Sequence, residues 1–364
     1  MAAPTSVGVG FDMTQAANIL ADLGWSGRFQ SQLGPAEVEH HFPARIREVH
    51  RNVLDTLSAT GEIVVPLTPE LTEGRVAVGD WLLIAPDGQA RLLERKSQIN
   101  RKAAGHVHYA QAIAANVDTL FIVTSCNNDF NLARLERYLV MAGQAGVEPI
   151  IVLTKADLAD DPSHFRRDAE RGLPGVFVET LVATDDTDVR EKLGRWCRAG
   201  QTVALLGSSG VGKTTLTNTL TGRLEKTHAI READAKGRHT TTTRSMHPMR
   251  DGGWLIDTPG MRELQLYDMA EGIETVFDDL AELADQCKFH DCAHETEPGC
   301  AIQGAISSGE VDQARFARWQ KLLREDEINT ESVAQAHTRA RKRQQTYNQG
   351  KKRSKHKRQG YDQD

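Results

Sequence analysis

Three short stretches of this sequence carry side chains suited to holding a nucleoside triphosphate and its magnesium ion. The first is Gly207-Ser208-Ser209-Gly210-Val211-Gly212-Lys213-Thr214, continued by Thr215. Its glycines let the backbone curl so that N–H groups face phosphate oxygens, and a helix starting there adds a fixed positive end. Lys213 would reach the β- and γ-phosphates, and the Thr214 hydroxyl would bind Mg²⁺. The second stretch, Asp257-Thr258-Pro259-Gly260, closes the apolar run Trp254-Leu255-Ile256. Asp257 can hold the magnesium shell there, and the Gly260 N–H can approach the γ-phosphate. The third is Thr154-Lys155-Ala156-Asp157. The Asp157 carboxylate can accept from the N1–H and 2-amino groups of guanine together. Adenine offers no such donor pair and would leave the carboxylate unpaired. Lys155 can lie along the base and brace the phosphate loop.

The order of these stretches carries more information than any one of them. In Ras-like GTPases the phosphate loop comes first and the base-reading motif last. Here the base reader comes first, as if one nucleotide site had been cut and rejoined elsewhere. Between the phosphate loop and Asp257 lies Gly237-Arg238-His239-Thr240-Thr241-Thr242-Thr243-Arg244, where a first switch belongs. One threonine of this run, with Thr242 as the candidate, would bind Mg²⁺ only while the γ-phosphate is present. Position 261 holds Met, where Ras-like enzymes carry a Gln that orients the attacking water. A thioether cannot orient water, so slow intrinsic hydrolysis is expected. His239 or a macromolecular partner would supply the missing group.

A separate constellation, Cys287-x4-Cys292-x-His294-x5-Cys300, offers three thiolates and one imidazole within fourteen residues. That set suits tetrahedral Zn²⁺ with every position filled by protein, the pattern of a structural site. His290 is a neighbouring alternative ligand. Cys126 and Cys197 stand alone and read as core thiols. An odd total of five cysteines argues against a disulfide framework.

The elements that must position these groups are legible in outline. Residues 106–268 alternate apolar, β-branched runs with helical patterns: strands at Thr119–Thr124, Pro149–Thr154, Val176–Val182 and Thr202–Leu206, helices at Leu132–Ala145 and Val189–Arg198. Such a parallel α/β sheet binds ligands beyond the carboxyl ends of its strands, where Thr154 and Gly207 both stand. Residues 37–105 carry short strand signals at Ala44–Val49, Glu62–Val65, Val76–Ile84 and Ala90–Arg95, which suggests a small β-barrel such as an OB-fold. Residues 1–36 read as a loosely attached arm with one short helix at Ala16–Leu23. Residues 269–338 show apolar stripes at helical spacing, Ile273 to Ala284 and Val311 to Leu323, around the cysteine cluster. Residues 339–364 lack such a stripe and read as a disordered basic tail.

The net charge of −6 hides an asymmetry. Residues 339–358 hold ten Lys or Arg and no Asp or Glu, which leaves −16 on the rest of the chain. An acidic body with a basic tail points to a local polyanion contact. No apolar run approaches the ~18 residues of a membrane helix, and the first residues lack a signal-peptide pattern. A cytoplasmic protein with no membrane partner is expected.

Taken together, these residues resemble the circularly permuted bacterial GTPases of the RsgA family. The matching stretches are Val78-Gly79-Asp80-Trp81, T-K-A-D-L from Thr154, G-S-S-G-V-G-K-T-T from Gly207, G-R-H-T-T-T-T-R from Gly237, D-T-P-G-M-R from Asp257, and the cysteine cluster ending P-G-C-A-I at Ile302. Thr154 stands where many relatives have Asn. The resemblance implies an α/β fold: a circularly permuted P-loop GTPase domain flanked by an N-terminal OB-fold barrel and a C-terminal zinc-binding helical domain. It implies GTP and GDP, Mg²⁺ and one structural Zn²⁺ as ligands. It also implies a monomer that binds the 30S subunit and 16S rRNA late in maturation and hydrolyses GTP faster on the ribosome. A P-loop small-molecule kinase and an RNA-binding scaffold that uses GTP structurally are the competing functions.

Overall fold

The computed structural model describes residues 13–71, 76–102, 110–223, 245–257 and 269–327. They belong to two compact units, one of Met1–Arg101 with Gln111–Leu264, the other of Lys102–Ala110 with Gln265–Asp364.

The first unit is built on strands β1 (Phe42–Val49), β2 (Val53–Ser58), β3 (Gly61–Pro66), β4 (Trp81–Ile84), β5 (Ala90–Leu92), β6 (Gln98–Lys102), β7 (Ala110–Ala115), β8 (Thr119–Ser125), β9 (Glu148–Thr154), β10 (Phe177–Thr180), β11 (Thr202–Leu206), β12 (Ser245–Pro248) and β13 (Trp254–Asp257). Helices α1 (Met13–Asp22), α2 (Gly27–Gln30) and α3 (Pro35–His40) precede them. Helices α4 (Leu132–Ala145), α5 (Pro162–Gly172), α6 (Asp186–Leu193) and α7 (Lys213–Thr221) lie between them. The main sheet has eleven strands in the path β10-β9-β8-β11-β13-β12-β1-β2-β3, with β4 paired to β1 and β5. Strands β10, β9, β8, β11 and β13 are parallel and form the nucleotide-type half. Their residues are apolar on both faces, as burial between helices requires. Phe121, Val123, Ile150, Val152, Val203, Leu216 and Leu255 share one core there.

The β1–β5 strands are antiparallel around a second core of Ala44, Ile46, Leu54, Val65, Leu71, Val76, Leu82 and Ile84. This arrangement is consistent with the OB-fold implied above. It is not a detached module, because β1 pairs with β12 at Glu48 opposite Ser245, which joins the two cores in one ladder. Two local expectations change. The strand expected over Val76–Ile84 begins only at Trp81, because Asp80 turns back to accept the Ala77 N–H at 2.7 Å and Gly79 adopts φ +91. A Cβ at Gly79 would lie 2.2 Å from the Ala115 carbonyl oxygen, so the backbones meet too closely for any side chain. Strand β2 is an addition, its residues alternating between half-buried and buried.

Residues 19–33, within the arm expected to be loose, are packed. Trp25, Phe29 and Trp81 form an aromatic cluster with ring centroids 4.9 to 5.9 Å apart, and Leu23, Leu83 and Leu93 join it. Arg45 is buried beneath them. It donates to the carbonyls of Leu23 (2.5 Å), Gly79 (3.3 Å) and Asn116 (3.2 Å) and to Thr202 Oγ1 (2.9 Å). Burial pushes its guanidinium down to about 10, against the pull of Asp118 and Asp80, so it stays charged at neutral pH. Asp118 accepts the Thr202 N–H at 2.8 Å and donates its own N–H to the Thr202 carbonyl. These bonds fix the start of β11, whose other end carries the phosphate loop.

In the second unit, α8 (Ala270–Val276) and α9 (Asp278–Asp285) replace the single helix expected over 273–284; they divide at Phe277. Helix α10 (Ala301–Ser308) follows the cysteine cluster, and a last helix, α11, covers 313–327. Ile273, Phe277, Leu280, Ile302, Phe316 and Trp319 are buried within this unit.

Candidate functional site

Parallel pairing brings the separated motifs to one edge of the sheet. Strand β8 pairs with β9 on one side and β11 on the other, and β11 pairs with β13. Thr154, Leu206 and Asp257 therefore all stand at the carboxyl ends of neighbouring strands. This is the place where open α/β sheets bind ligands.

The phosphate loop requires its glycines. A Cβ on Gly207 would sit 2.2 Å from the Val123 carbonyl oxygen, and Gly212 takes φ +99 immediately before α7. Lys213 begins α7 and its Nζ reaches back across the loop to the carbonyls of Gly207 (2.7 Å) and Ser208. Ser209 and Gly210 are exposed, Val211 is buried, and Thr214 and Thr215 are half-buried in the first turn of α7. Asp257 ends β13, half-buried. Thr214 stands in the first turn of α7 and Asp257 closes β13, so each offers an oxygen at this edge of the sheet.

Two hydrogen bonds tie the base-reading motif to this loop. Thr154 is fully buried, and its Oγ1 lies 2.5 Å from the Val211 carbonyl oxygen and 3.0 Å from that of Thr124. Lys155 adopts φ +57, a left-handed conformation that costs a non-glycine residue about 1 kcal/mol. That conformation aims its Nζ at the Gly210 carbonyl, 2.7 Å away. Ala156 and Asp157 follow in a single tight turn. The Asp157 side chain is exposed, with no hydrogen bond or ion pair among the described residues, so its oxygens are available to a ligand. The loop after β10 also belongs here; the strand expected over Val176–Val182 ends at Thr180, which frees the residues beyond it. The Ala156 N–H donates to the Leu181 carbonyl (3.4 Å), and Thr219 Oγ1 of α7 donates to the Ala183 carbonyl (2.7 Å).

His247 on β12 is half-buried beside Arg223. Arg223 Nη1 donates to its Nδ1 at 2.5 Å, which leaves the proton on Nε2 to bond Ser245 Oγ at 2.9 Å. Burial first, then the charges of Arg223 and Arg47, hold its pKa down to about 4. Residues His239, Thr242, Gly260 and Met261, and the tail 339–364, lie outside the described residues.

The four expected metal ligands converge in the second unit. Sγ of Cys287, Cys292 and Cys300 and a ring nitrogen of His294 all lie within 4.8 Å of one another. His294 Nδ1 is 3.5 Å from the sulfurs of Cys287 and Cys300, which are 3.9 Å apart. Tetrahedral zinc with bonds of about 2.3 Å to sulfur and 2.0 Å to nitrogen sets such edges at about 3.8 and 3.5 Å. The residues therefore fit the ion. The His294 backbone at φ +59 is held by Gln303 Nε2 donating to its carbonyl at 2.7 Å. His290 is outside this group.

The comparisons with known proteins agree with this geometry. The RsgA GTPase family profile matches residues 92–267. A small ribosomal subunit biogenesis GTPase RsgA from Mesorhizobium japonicum is 50% identical over 327 residues, covering 87% of this chain and 93% of that protein. This chain belongs to the RsgA GTPase family. A second relative, RsgA 2 of Vibrio parahaemolyticus, is 46% identical and covers 90% of this chain and 92% of its own length. The crystal structure of YjeQ from Thermotoga maritima superposes with a TM-score of 0.59 at 25% identity, over 78% of this chain and 98% of that one. YloQ, described as a circularly permuted GTPase, shares the fold with a TM-score of 0.56 at 24% identity, over 79% of this chain and 96% of that one. A profile for ABC transporters also matches residues 193–354, a span that contains the phosphate loop. In this RsgA-family chain the permuted order does not separate the motifs in space, because the sheet reunites them.

Proposed function

We propose that this chain is a GTPase of small ribosomal subunit biogenesis that cleaves GTP to GDP and phosphate in the cytoplasm and is stimulated by the 30S particle. The observation that carries the reading is the pair of bonds from Thr154 and Lys155 to the phosphate loop, which supports one site shared by base reader and phosphate cradle. Asp157 would select guanine through its paired acceptors, and Lys155 would hold the loop in register with it. Gly207 to Thr215 would bind the phosphates through backbone N–H groups, with Lys213 against the β- and γ-phosphates. Thr214 and Asp257 would hold Mg²⁺, which supplies charge neutralisation at the phosphates, and Thr242 would sense the γ-phosphate. Because position 261 is Met, this site orients its own water poorly. His239 or a group on the ribosome would complete it. Cys287, Cys292, His294 and Cys300 would hold one Zn²⁺ that supplies cross-linking to a unit with a small core. Contacts to 16S rRNA would come from the barrel and the basic tail, and the protein would act as a monomer.

The test is GTP turnover by purified protein with and without 30S subunits, against ATP as control. A large rise that needs both GTP and 30S supports the reading. Equal rates with and without 30S would leave an RNA-binding scaffold that uses GTP structurally.

A further inference from the structure

The second unit carries a helical face whose charge is unanswered. Glu271, Glu274, Asp278, Glu282 and Asp285 are all exposed along α8 and α9. Their spacing keeps them on the side away from the buried Ile273, Phe277 and Leu280. None of the five makes an ion pair among the described residues. The neighbouring Asp279 is different, since Arg315 of α11 takes it at 2.8 Å. Five like charges at helical spacing repel one another and destabilise the helices that bear them, unless a cationic partner covers them.

The acidic face alone says nothing about that partner; the chain's own end supplies one. The ten Lys and Arg of residues 339–358 stand without a single acid. The point of departure is also set. Asp326, near the end of α11, accepts the Met269 N–H at 2.8 Å, so the chain leaves α11 beside the start of α8. Residues 270–285 span about 24 Å at 1.5 Å per residue. The segment 328–338 can reach about 36 Å when extended, so 339–358 can lie along the full face. A tethered segment also competes at millimolar effective concentration.

We propose that residues 339–358 dock on the acidic face of α8 and α9, and that a polyanion releases them. The tail is then masked until it meets a phosphate-rich surface. Binding to such a surface is weakened by the fraction of time the tail spends docked: docking for nine-tenths of the time raises the apparent Kd about tenfold.

Zero-length carbodiimide cross-linking of the full chain tests this, because it joins lysine amines only to carboxylates in contact. At low salt, links from Lys342, Lys351, Lys352, Lys355 or Lys357 should concentrate on the five acids. They should fall at least about fivefold on raising salt to about 0.5 M, where screening acts within a few ångströms, and on adding heparin. The variant E271Q/E274Q/E282Q/D285N should lose them while keeping its helix content, since all four positions are solvent-facing. Excess synthetic peptide of residues 339–358 should displace the tail in the unaltered protein, a readout that does not depend on the variant folding. Tail links spread evenly over other carboxylates, or insensitive to the peptide, would overturn the proposal. So would links found only between isotopically labelled and unlabelled chains, because the occupant would then be a second copy.

Discussion

Replacing Thr154 with Val removes one hydroxyl from a fully buried site and changes little else. The hydroxyl lies 2.5 Å from the Val211 carbonyl of the phosphate loop and 3.0 Å from the Thr124 carbonyl at the end of β8, so its single hydrogen can serve either. Val is nearly isosteric, so the change opens no cavity, but it turns a methyl group toward two buried carbonyls. Losing a donor to buried acceptors costs about 1–3 kcal/mol. If that energy holds the loop in register with Asp157, the GDP affinity falls by the same amount, about 5- to 150-fold. Thr154→Ser keeps the hydroxyl and should stay within about twofold of wild type. The assay is titration with a fluorescent GDP analogue, paired with thermal melting in the presence and absence of GDP. Wild-type affinity in Thr154→Val would refute the reasoning. A variant that melts early yet binds GDP normally would do the same, since the energy would then belong to the fold and not to the loop.

Asp157→Asn should lower GTP affinity at least tenfold and shift preference toward xanthosine triphosphate, whose base offers an acceptor where guanine offers a donor; unchanged guanine preference in competition binding would remove Asp157 from its role. Gly79→Ala should destabilise the first unit by at least about 2 kcal/mol, because the new Cβ meets the Ala115 carbonyl at 2.2 Å under a positive φ, and chemical denaturation would read this directly. Cys300→Ser should lose zinc, measured as metal per chain, and loosen α10, whose first turn the sulfur also caps through the Gln303 N–H. His247 gives a pH signature. Its folded pKa of about 4 lies below the ordinary 6.5, so the unfolded chain binds the extra proton. Stability from this group is complete above about pH 6.5 and is lost as pH falls toward 4, so His247→Phe should flatten the melting temperature across that window.

The proposed nucleotide site is legible in the sequence because its chemistry is local. A glycine-rich turn after an apolar run, or a carboxylate at a strand end, declares itself in a few consecutive residues, and so does a ligand quartet within fourteen. What joins these pieces is not local. That Lys155 braces the phosphate loop is expected from its motif, but the choice of the Gly210 carbonyl, 55 residues on, and the left-handed backbone that aims the lysine there have no sequence signal. The packing of residues 19–33 is hidden from the sequence for the same reason. Trp25 and Phe29 look like scattered aromatics in a glycine-broken segment until Trp81 arrives to stack on them. Val78-Gly79-Asp80-Trp81 was recognised as a motif, but its purpose emerged only from the close approach of Gly79 to Ala115 and the bidentate pair of Asp80 with Arg95 at 2.6 and 2.7 Å.

The Trp254 indole N–H donates to the carbonyl of Asp22 at 2.9 Å across 232 residues of sequence. A ribosome making this protein extrudes α1 first, and at about 5–20 residues per second the partner indole follows some 10 to 50 s later. During that interval the end of the first helix, the Arg45 donor to Thr202 and the pairing of β1 with β12 all lack their second halves. The N-terminal strands can collapse around their own core early, but the seam that locks them to the nucleotide half closes only when nearly three-quarters of the chain has emerged. A permuted order that leaves the finished site unchanged therefore changes its birth: base reader and barrel wait, half-assembled, for the phosphate loop to be synthesised.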